Sequence, residues 1–109
     1  MWAVAYLPDA EQERDKLPGA ERAAIYNAVR KLEALGPDLP FPHSSEVKGA
    51  TDLRELRPRR GRSAWRPLYR RVAHMFVIAA VGPEAESNPR GFRKACERAE
   101  QRLAELQEE

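Results

Sequence analysis

The sequence has few of the residues that build disulfides, metal sites and membrane spans. Its one cysteine, Cys96, excludes an internal disulfide and is consistent with a reducing compartment. The two histidines, His43 and His74, are not spaced as metal ligands relative to each other or to that cysteine, so we expect no metal or other cofactor. The longest apolar run, 75–81, is too short to cross a bilayer, and no basic segment followed by an apolar stretch opens the chain. We therefore expect a cytoplasmic protein with no membrane partner.

Net positive charge is confined to one central stretch. The 109 residues have a formal net charge of +2, but residues 48–72 hold nine Lys or Arg and only two Asp or Glu. The flanking segments, 1–47 and 73–109, are both net acidic. Eight of the nine central cations are arginines, whose planar guanidinium grips phosphate with two hydrogen bonds and also stacks on bases. This stretch favours binding of a polyanion, although a merely solvated basic surface would have the same composition.

Hydrophobic periodicity predicts a single α+β domain spanning residues 1–109. Apolar residues at three- and four-residue spacing indicate a helix that ends before Gly36-Pro37, and the proline-rich segment 37–50 is typical of a loop. We expect an antiparallel sheet of about four strands, with 75–81 at its centre and the helices packed on one side. The predicted order is a strand at 2–7, a two-helix hairpin of 10–17 and 21–35, strands at 53–57, 64–72 and 74–81, and a C-terminal helix at 89–106.

The second half of the chain resembles the phage-derived, HigB-like branch of the RelE/ParE toxin superfamily. The resemblance rests on an ordered succession of segments rather than on any single motif. In the N-terminal half only the order of the strand and the helices matches. The segments that carry the resemblance are Val47-Lys48-Gly49, Asp52-Leu53-Arg54-Glu55-Leu56-Arg57, Trp65-Arg66-Pro67-Leu68-Tyr69-Arg70, the apolar strand 76–81, and a helix opened by Pro89 that contains Ala95, Arg98 and Leu103.

The resemblance implies the toxin of a type II toxin–antitoxin system that cuts mRNA on the ribosome without a metal. In that chemistry the 2′-hydroxyl attacks the adjacent phosphate. It also implies a cognate antitoxin as partner, expected to be a small helix-turn-helix protein. By position, Arg57 would clamp phosphate, Arg66 would stabilise the developing charge, and Tyr69 would stack on a base or orient the substrate. The cations expected to contact RNA are Lys48, Arg54, Arg59, Arg60, Arg62, Arg70 and Arg93.

Two features of the chain depart from the family pattern. HigB-like proteins carry paired lysines between the last strand and the final helix, where this chain has Pro83 and Glu84. The acidic loop 82–88 would weaken RNA binding, or Glu84 would act as the catalytic general base if its pKa is raised. Pro67 removes an N–H from a strand that is expected to pair on both sides, which predicts a bulge at that position.

Three functions are therefore compatible with the sequence. The chain is an endoribonuclease toxin, a relative that binds RNA or an antitoxin without cleaving, or a ParE-like inhibitor of DNA gyrase on the same fold. The individual arginines also have structural interpretations. Arg57 would pair with Glu55, two residues away on the same strand, and Arg66 would extend along the face of the sheet. The three arginines of the 58–63 turn would then be a solvated hairpin tip.

Overall fold

A five-stranded sheet and three α-helices make up the fold in a computed structural model, which describes residues 1–107. The predicted α+β class and the order of the long elements are confirmed. A short 3-10 segment between the third and fourth strands, Pro58–Gly61, is named the arginine turn together with the two residues that follow it, Arg62 and Ser63. The strands are β1 (Ala3–Tyr6), β2 (Ser44–Glu46), β3 (Arg54–Leu56), β4 (Trp65–Val72) and β5 (Met75–Pro83), and the helices are α1 (Pro8–Asp15), α2 (Gly19–Leu35) and α3 (Pro89–Gln107).

The strands lie in the order β1-β5-β4-β3-β2, which places the apolar β5 inside the sheet as predicted. Three of the four pairings are antiparallel, but β1 runs parallel to β5, with Val4 opposite Phe76. A parallel neighbour is possible here because β1 reaches the sheet through helices rather than through a hairpin. The strand β2 lies within 37–50, which the sequence predicted to be a loop. It is three residues long, at the edge of the sheet, where Ser45 pairs with Glu55.

Helices cover both faces of the sheet, so the prediction that they pack on one side is wrong. Phe76 and Ile78 of β5 lie in a core with α1 and α2. Val77 and Ala79 lie in a second core with α3. Successive side chains of a strand point to opposite faces, so an apolar central strand must be covered on both. The uninterrupted apolar run 75–81 already indicates, in the sequence, a strand that is covered on both faces.

A register shift interrupts the pairing of β4 with β5. The shift lies between Leu68 and Tyr69 of β4, and Ala79 of β5 is the extra residue. The sequence predicted a bulge at Pro67, one residue away, but Pro67 stays in register with Val81. The strand β3 pairs with β4 only at Leu68 and Tyr69. The missing N–H of Pro67 therefore costs no hydrogen bond to β3.

Two side chains form hydrogen bonds with backbone groups of β5 beyond the end of the short strand β1. The Val81 N–H donates to the Glu13 carboxylate of α1 at 3.0 Å, and the Ala79 carbonyl accepts from Arg102 of α3 at 2.8 Å. Glu13 and Arg102 also form two parallel hydrogen bonds of 3.1 and 3.0 Å. This Glu13–Arg102 clamp satisfies backbone groups that a longer β1 would have paired, and it ties together helices from opposite faces of the sheet.

Candidate nucleic-acid-binding site

Arg66 lies buried beneath the arginine turn. Its side chain is 4% exposed, and its guanidinium donates to Oε1 of Glu55 at 3.1 Å and to the carbonyls of Ser63 and Gly61 at 2.5 and 2.9 Å. Burial lowers the pKa of Arg66, and the negative charge of Glu55 opposes that shift. Each of its three nitrogens already bonds within the protein. Arg66 therefore holds the turn against the sheet and leaves little surface for contact with a phosphate.

Arg57 is the accessible member of the same network. Its Nη1 donates to Glu55 Oε1 at 3.1 Å, and its Nε donates to the Pro42 carbonyl at 3.1 Å. One carboxylate thus bridges two guanidinium groups, which leaves one net positive charge. The Arg57 side chain is 22% exposed and its guanidinium lies 5.0 Å from the centre of the Phe41 ring. Arg57 is therefore held in place but can still meet an anion.

A cleft of about 260 Å³ opens beside these arginines and is named the Arg57 cleft. It brings together three of the four predicted catalytic residues, Arg57, Arg66 and Glu84. Glu55 lies between the two arginines, and Glu84 and Glu86 face them from the loop before α3. The cleft therefore carries charges of both signs, and the acids of the loop 82–88 lie next to the arginines.

Glu84 caps its own loop. Its carboxylate accepts hydrogen bonds from the backbone N–H groups of Ser87 at 2.7 Å and Glu86 at 2.9 Å. Hydrogen bonding from Ser87 and then from Glu86 lowers the pKa of Glu84, and the positive charge of Arg66 lowers it further. The proposed role of general base requires a raised pKa, because a carboxylate with a lowered pKa is a weaker base. The shift has the opposite direction to the one that this role requires.

Tyr69 lies in the core rather than at the surface. Its side chain is 2% exposed, its ring meets Phe76 edge-on at 5.6 Å, and its hydroxyl bonds to the Ser44 hydroxyl at 2.6 Å. A base cannot stack on a ring enclosed in this way, so the predicted stacking role is incompatible with the fold. Arg54, opposite Tyr69 in the sheet, donates to the same Ser44 hydroxyl at 3.1 Å. Arg54 therefore lies on the α2 face, away from the Arg57 cleft.

The arginine turn presents three further predicted RNA-binding residues to solvent. Arg59, Arg60 and Arg62 are all exposed. Arg59 pairs with Glu21 of α2 at 3.1 Å, so its charge is compensated. Arg59 and Arg60 have left-handed backbone angles, with φ of 54° and 58°, which are unfavourable for residues that carry a Cβ. The turn is thus a strained segment that projects arginine side chains.

A groove of about 810 Å³ lies between α3 and the segment 47–51. Two predicted RNA-binding residues, Lys48 and Arg93, line it and are exposed. A third, Arg70, instead bonds to Glu100 of α3 at 2.9 Å and is largely enclosed. The groove and the Arg57 cleft share Ala85 in their walls, so they lie next to each other.

A second cleft was not anticipated from the sequence. It measures about 430 Å³, lies between α2 and the arginine turn, and is lined by Lys31, His43 and Arg57 among others. Partial burial lowers the pKa of His43, and the positive charges of Lys31 and Arg60 lower it further. The neighbouring ring of Phe41 is 68% exposed. An aromatic residue between two prolines in a polar segment was the sequence signal that could have drawn attention to this loop.

The described residues contain neither a metal centre nor a membrane span. Across 1–107, no three His, Cys, Asp or Glu side chains are grouped so as to hold a metal ion. In that same part of the chain, no helix is both long enough and apolar enough to cross a bilayer.

The fold is similar to that of RelE toxins of known structure. A doubly substituted variant of E. coli toxin RelE in the free state aligns with a TM-score of 0.63 and 17% identity, over 89% of this chain and 96% of that one. The intact E. coli RelBE toxin–antitoxin complex aligns with a TM-score of 0.60 and 16% identity, over 77% and 98%. The archaeal RelE–RelB complex from Pyrococcus horikoshii aligns with a TM-score of 0.56 and 19% identity, over 78% and 97%. At these identities the likeness shows a RelE-type fold and no more.

Residues 12–104 match a family model described as Phage derived protein Gp49-like (DUF891). Because the match spans most of the chain, this protein belongs to the Gp49-like family. No curated protein sequence matches it. The family and the fold together confirm the predicted relation to the RelE superfamily, whereas the assignment to its HigB-like branch stays a prediction.

Proposed function

We propose that this protein is the toxin of a toxin–antitoxin pair and that its target is RNA. The fold supports the first part, since two of the similar structures are RelE bound to RelB. The observation that carries the second part is the position of Arg57. Its guanidinium is anchored by Glu55 and Pro42, faces an open cleft, and lies next to a groove with exposed Lys48 and Arg93. An anchored, partly exposed arginine that lies beside two exposed cations suits the phosphates of a nucleic-acid strand, although carboxylates also line the cleft and the groove.

The proposed activity is cleavage of mRNA on the ribosome. The 2′-oxygen bonds to phosphorus, the bond from phosphorus to the 5′-oxygen breaks, the 2′-hydroxyl proton passes to a base, and the 5′-oxygen takes up a proton. In this site Arg57 is the group that would stabilise negative charge on the phosphate. Glu84 would be ionised at neutral pH and would accept the proton only as a weak base. Most of the acceleration would therefore come from charge stabilisation and positioning.

A second candidate function is binding of RNA or of an antitoxin without cleavage. Two observations favour it, the enclosure of Arg66 by backbone carbonyls and the lowered pKa of Glu84. Arg66 and Glu84 therefore both have a structural role that is independent of catalysis. This candidate also explains why the paired lysines of HigB-like proteins are replaced by Pro83 and Glu84.

Induced expression in bacterial cells separates these functions. Growth, mRNA ends and DNA supercoiling would be followed for the wild type, for Arg57→Gln, and for Lys16→Gln as a control that removes a remote exposed charge at the end of α1. The proposal expects growth arrest with new mRNA ends in the wild type and the control, and neither in Arg57→Gln. Purified Arg57→Gln protein should keep the circular dichroism spectrum of the wild type.

Other outcomes of the same experiment would redirect the assignment. A folded wild-type protein that leaves growth and mRNA unchanged would contradict cleavage and favour the binding relative. Growth arrest with intact mRNA and altered supercoiling would favour the ParE-like gyrase inhibitor.

A further inference from the structure

We propose that the cleft between α2 and the arginine turn, together with the exposed Phe41 ring, binds one nucleotide of single-stranded RNA beyond the Arg57 cleft. The base would stack on Phe41, and the phosphate would be bound by Lys31 and Arg60. This region is named the outer subsite. The nature of its ligand rests on the proposed function, but its residues are distinct from those expected to act in cleavage.

The first argument is the continuity of the surface. Arg57 lines both the Arg57 cleft and the cleft beside α2. The Arg57 cleft in turn shares Ala85 with the groove that holds Lys48 and Arg93. The three depressions therefore adjoin one another at Arg57 and Ala85, and this row of depressions is named the track. An RNA strand whose phosphate contacts Arg57 has to continue on both sides of Arg57. The outer subsite is the depression on the side of α2.

The second argument is the balance of charge around the cleft. Lys31 lines the cleft, and Arg60 follows the lining residue Arg59 and lies near enough to lower the pKa of His43 in the cleft wall. Both cations are exposed, and within residues 1–107 neither forms an ion pair. Glu21 faces Arg59 and is already engaged by it and by the Ser63 hydroxyl. The charge of Glu21 is thus neutralised, whereas the charges of Lys31 and Arg60 are not. An uncompensated pair of cations beside a cavity attracts a phosphate group.

The third argument is the exposure of Phe41. Phe41 is 68% exposed although its side chain is large and apolar, and its ring lies 5.0 Å from the Arg57 guanidinium. Proteins that bind single-stranded RNA stack bases on exposed aromatic side chains next to basic residues. An exposed Phe beside an anchored arginine provides such a surface.

The fourth argument is the strained backbone at Arg60. Its φ of 58° follows a φ of 54° at Arg59, and these angles suit glycine or asparagine better than arginine. Unfavourable backbone angles are typically retained where a side chain is needed for function. The arginine at this position therefore favours a role in binding rather than in stability.

The experiment is a titration of a fluorescently labelled single-stranded RNA with purified protein at low salt. Phe41→Leu removes the aromatic ring but keeps an apolar side chain, Lys31→Gln removes one charge, and Arg60→Asn removes the other. Each variant should bind about 5- to 10-fold more weakly than the wild type, by comparison with the loss of one stacked base or one phosphate contact. Arg60→Asn should bind more weakly although its melting temperature is unchanged or raised, because asparagine tolerates left-handed angles.

Matched controls exist on the same molecule. Tyr26 is another exposed aromatic ring beside an arginine, but its neighbour Arg30 does not line the cleft, whereas Arg57 beside Phe41 does. Tyr26→Leu should therefore bind as the wild type does. Lys16→Gln removes an exposed charge at the end of α1 and should change affinity little. Photo-crosslinking with 4-thiouridine in the RNA should label the segment containing Phe41, and Phe41→Leu should reduce that crosslink.

The outer subsite and the proposed function fail in different ways. If Phe41→Leu, Lys31→Gln and Arg60→Asn bind as the wild type does while Arg57→Gln binds more weakly, the outer subsite is wrong and the RNA target stands. Wild-type protein that does not bind single-stranded RNA at low salt also overturns the subsite, whereas cleavage is judged by the mRNA ends in cells.

Discussion

Whether an arginine can reach a phosphate depends on what its guanidinium already binds. Arg57 and Arg66 share one oxygen of Glu55, yet Arg66 also bonds to two carbonyls of the turn and is closed off from solvent. Arg57 keeps an open edge. The two arginines share one carboxylate but have different roles. Arg66 holds the arginine turn in place, and Arg57 faces the cleft.

The structural use of Arg66 predicts a large loss of stability on substitution. Arg66→Met should lower the free energy of unfolding by about 3 kcal/mol, because it breaks a buried ion pair and leaves the Ser63 and Gly61 carbonyls without a donor. Arg57→Gln should cost much less, since Arg57 is partly solvated. Urea denaturation of the two variants measures the difference. An Arg66→Met protein as stable as the wild type but inactive in cells would instead make Arg66 a catalytic group.

At the scale of elements, the Glu13–Arg102 clamp connects α1, β5 and α3. Burial by itself raises the pKa of Glu13. Hydrogen bonds from Arg102 and from the Val81 N–H lower it, as do the positive charges of Arg102 and Arg98. Together these effects outweigh burial, so the pKa of Glu13 is lowered. A carboxyl with a lowered pKa in the folded state stabilises the protein above its ordinary pKa of about 4.5, and this contribution is lost as the pH falls through the folded value.

The clamp therefore predicts a pH-dependent stability difference. Glu13→Gln should lower the free energy of unfolding by about 2 kcal/mol at neutral pH, and the difference from the wild type should shrink as the pH falls toward about 3. Chemical denaturation at several pH values measures it. Glu11→Gln, an exposed substitution on the same helix, should have little effect at any pH. A Glu13→Gln deficit that persists unchanged in acid would contradict an electrostatic clamp.

The hairpin between β4 and β5 predicts a stabilising substitution. Ala73 lies in the two-residue connection with a φ of 56°, an angle that glycine adopts without the steric cost that Ala incurs. Ala73→Gly should raise the free energy of unfolding by about 0.5 kcal/mol after the added flexibility of the unfolded chain is subtracted. Ala64→Gly, at an exposed position without a positive φ, should lower it instead. Thermal melts of the two variants provide the comparison, and equal shifts would contradict strain at Ala73.

At the scale of the whole molecule, the net charge of +2 conceals an uneven distribution of usable charge. Several of the central arginines are already paired: Arg57 and Arg66 with Glu55, Arg59 with Glu21, and Arg70 with Glu100. These pairs hold loops and helices to the sheet. Exposed cations that form no ion pair within residues 1–107 remain in the walls of the track, namely Lys31, Lys48 and Arg93, and on the neighbouring arginine turn, namely Arg60 and Arg62.

This distribution predicts a modest salt dependence of RNA binding. About six phosphate contacts, from these five cations and Arg57, should give a slope of about −4 for log affinity against log salt concentration on a single strand, whereas all nine cations of 48–72 would give about −6. Titrations at several sodium chloride concentrations measure the slope. A slope near zero would contradict phosphate contact altogether, and a slope near −6 would mean that the paired arginines are released on binding.

The sequence by itself determined the elements and their order. Periodicity of apolar residues is a local property, so the helices α2 and α3 and the strand β5 were visible from spacing alone. The block of positive charge at 48–72 and the resemblance to RelE-type toxins were also visible, because both depend on residue order and composition. The edge strand β2 was not, because three polar residues after prolines acquire strand geometry only by pairing with β3.

Only the tertiary structure decided which side chains are free to act. Ion pairs such as Arg59 with Glu21 join residues far apart in sequence, and no local pattern announces them. The burial of Tyr69 depends on the register of β4 against β5, which sets the face to which each side chain points. Phe41 and Lys31 became a candidate site only when the fold brought α2 beside the arginine turn. Sequence determines which charges a chain carries, but packing determines which of them are already neutralised and which remain available to RNA.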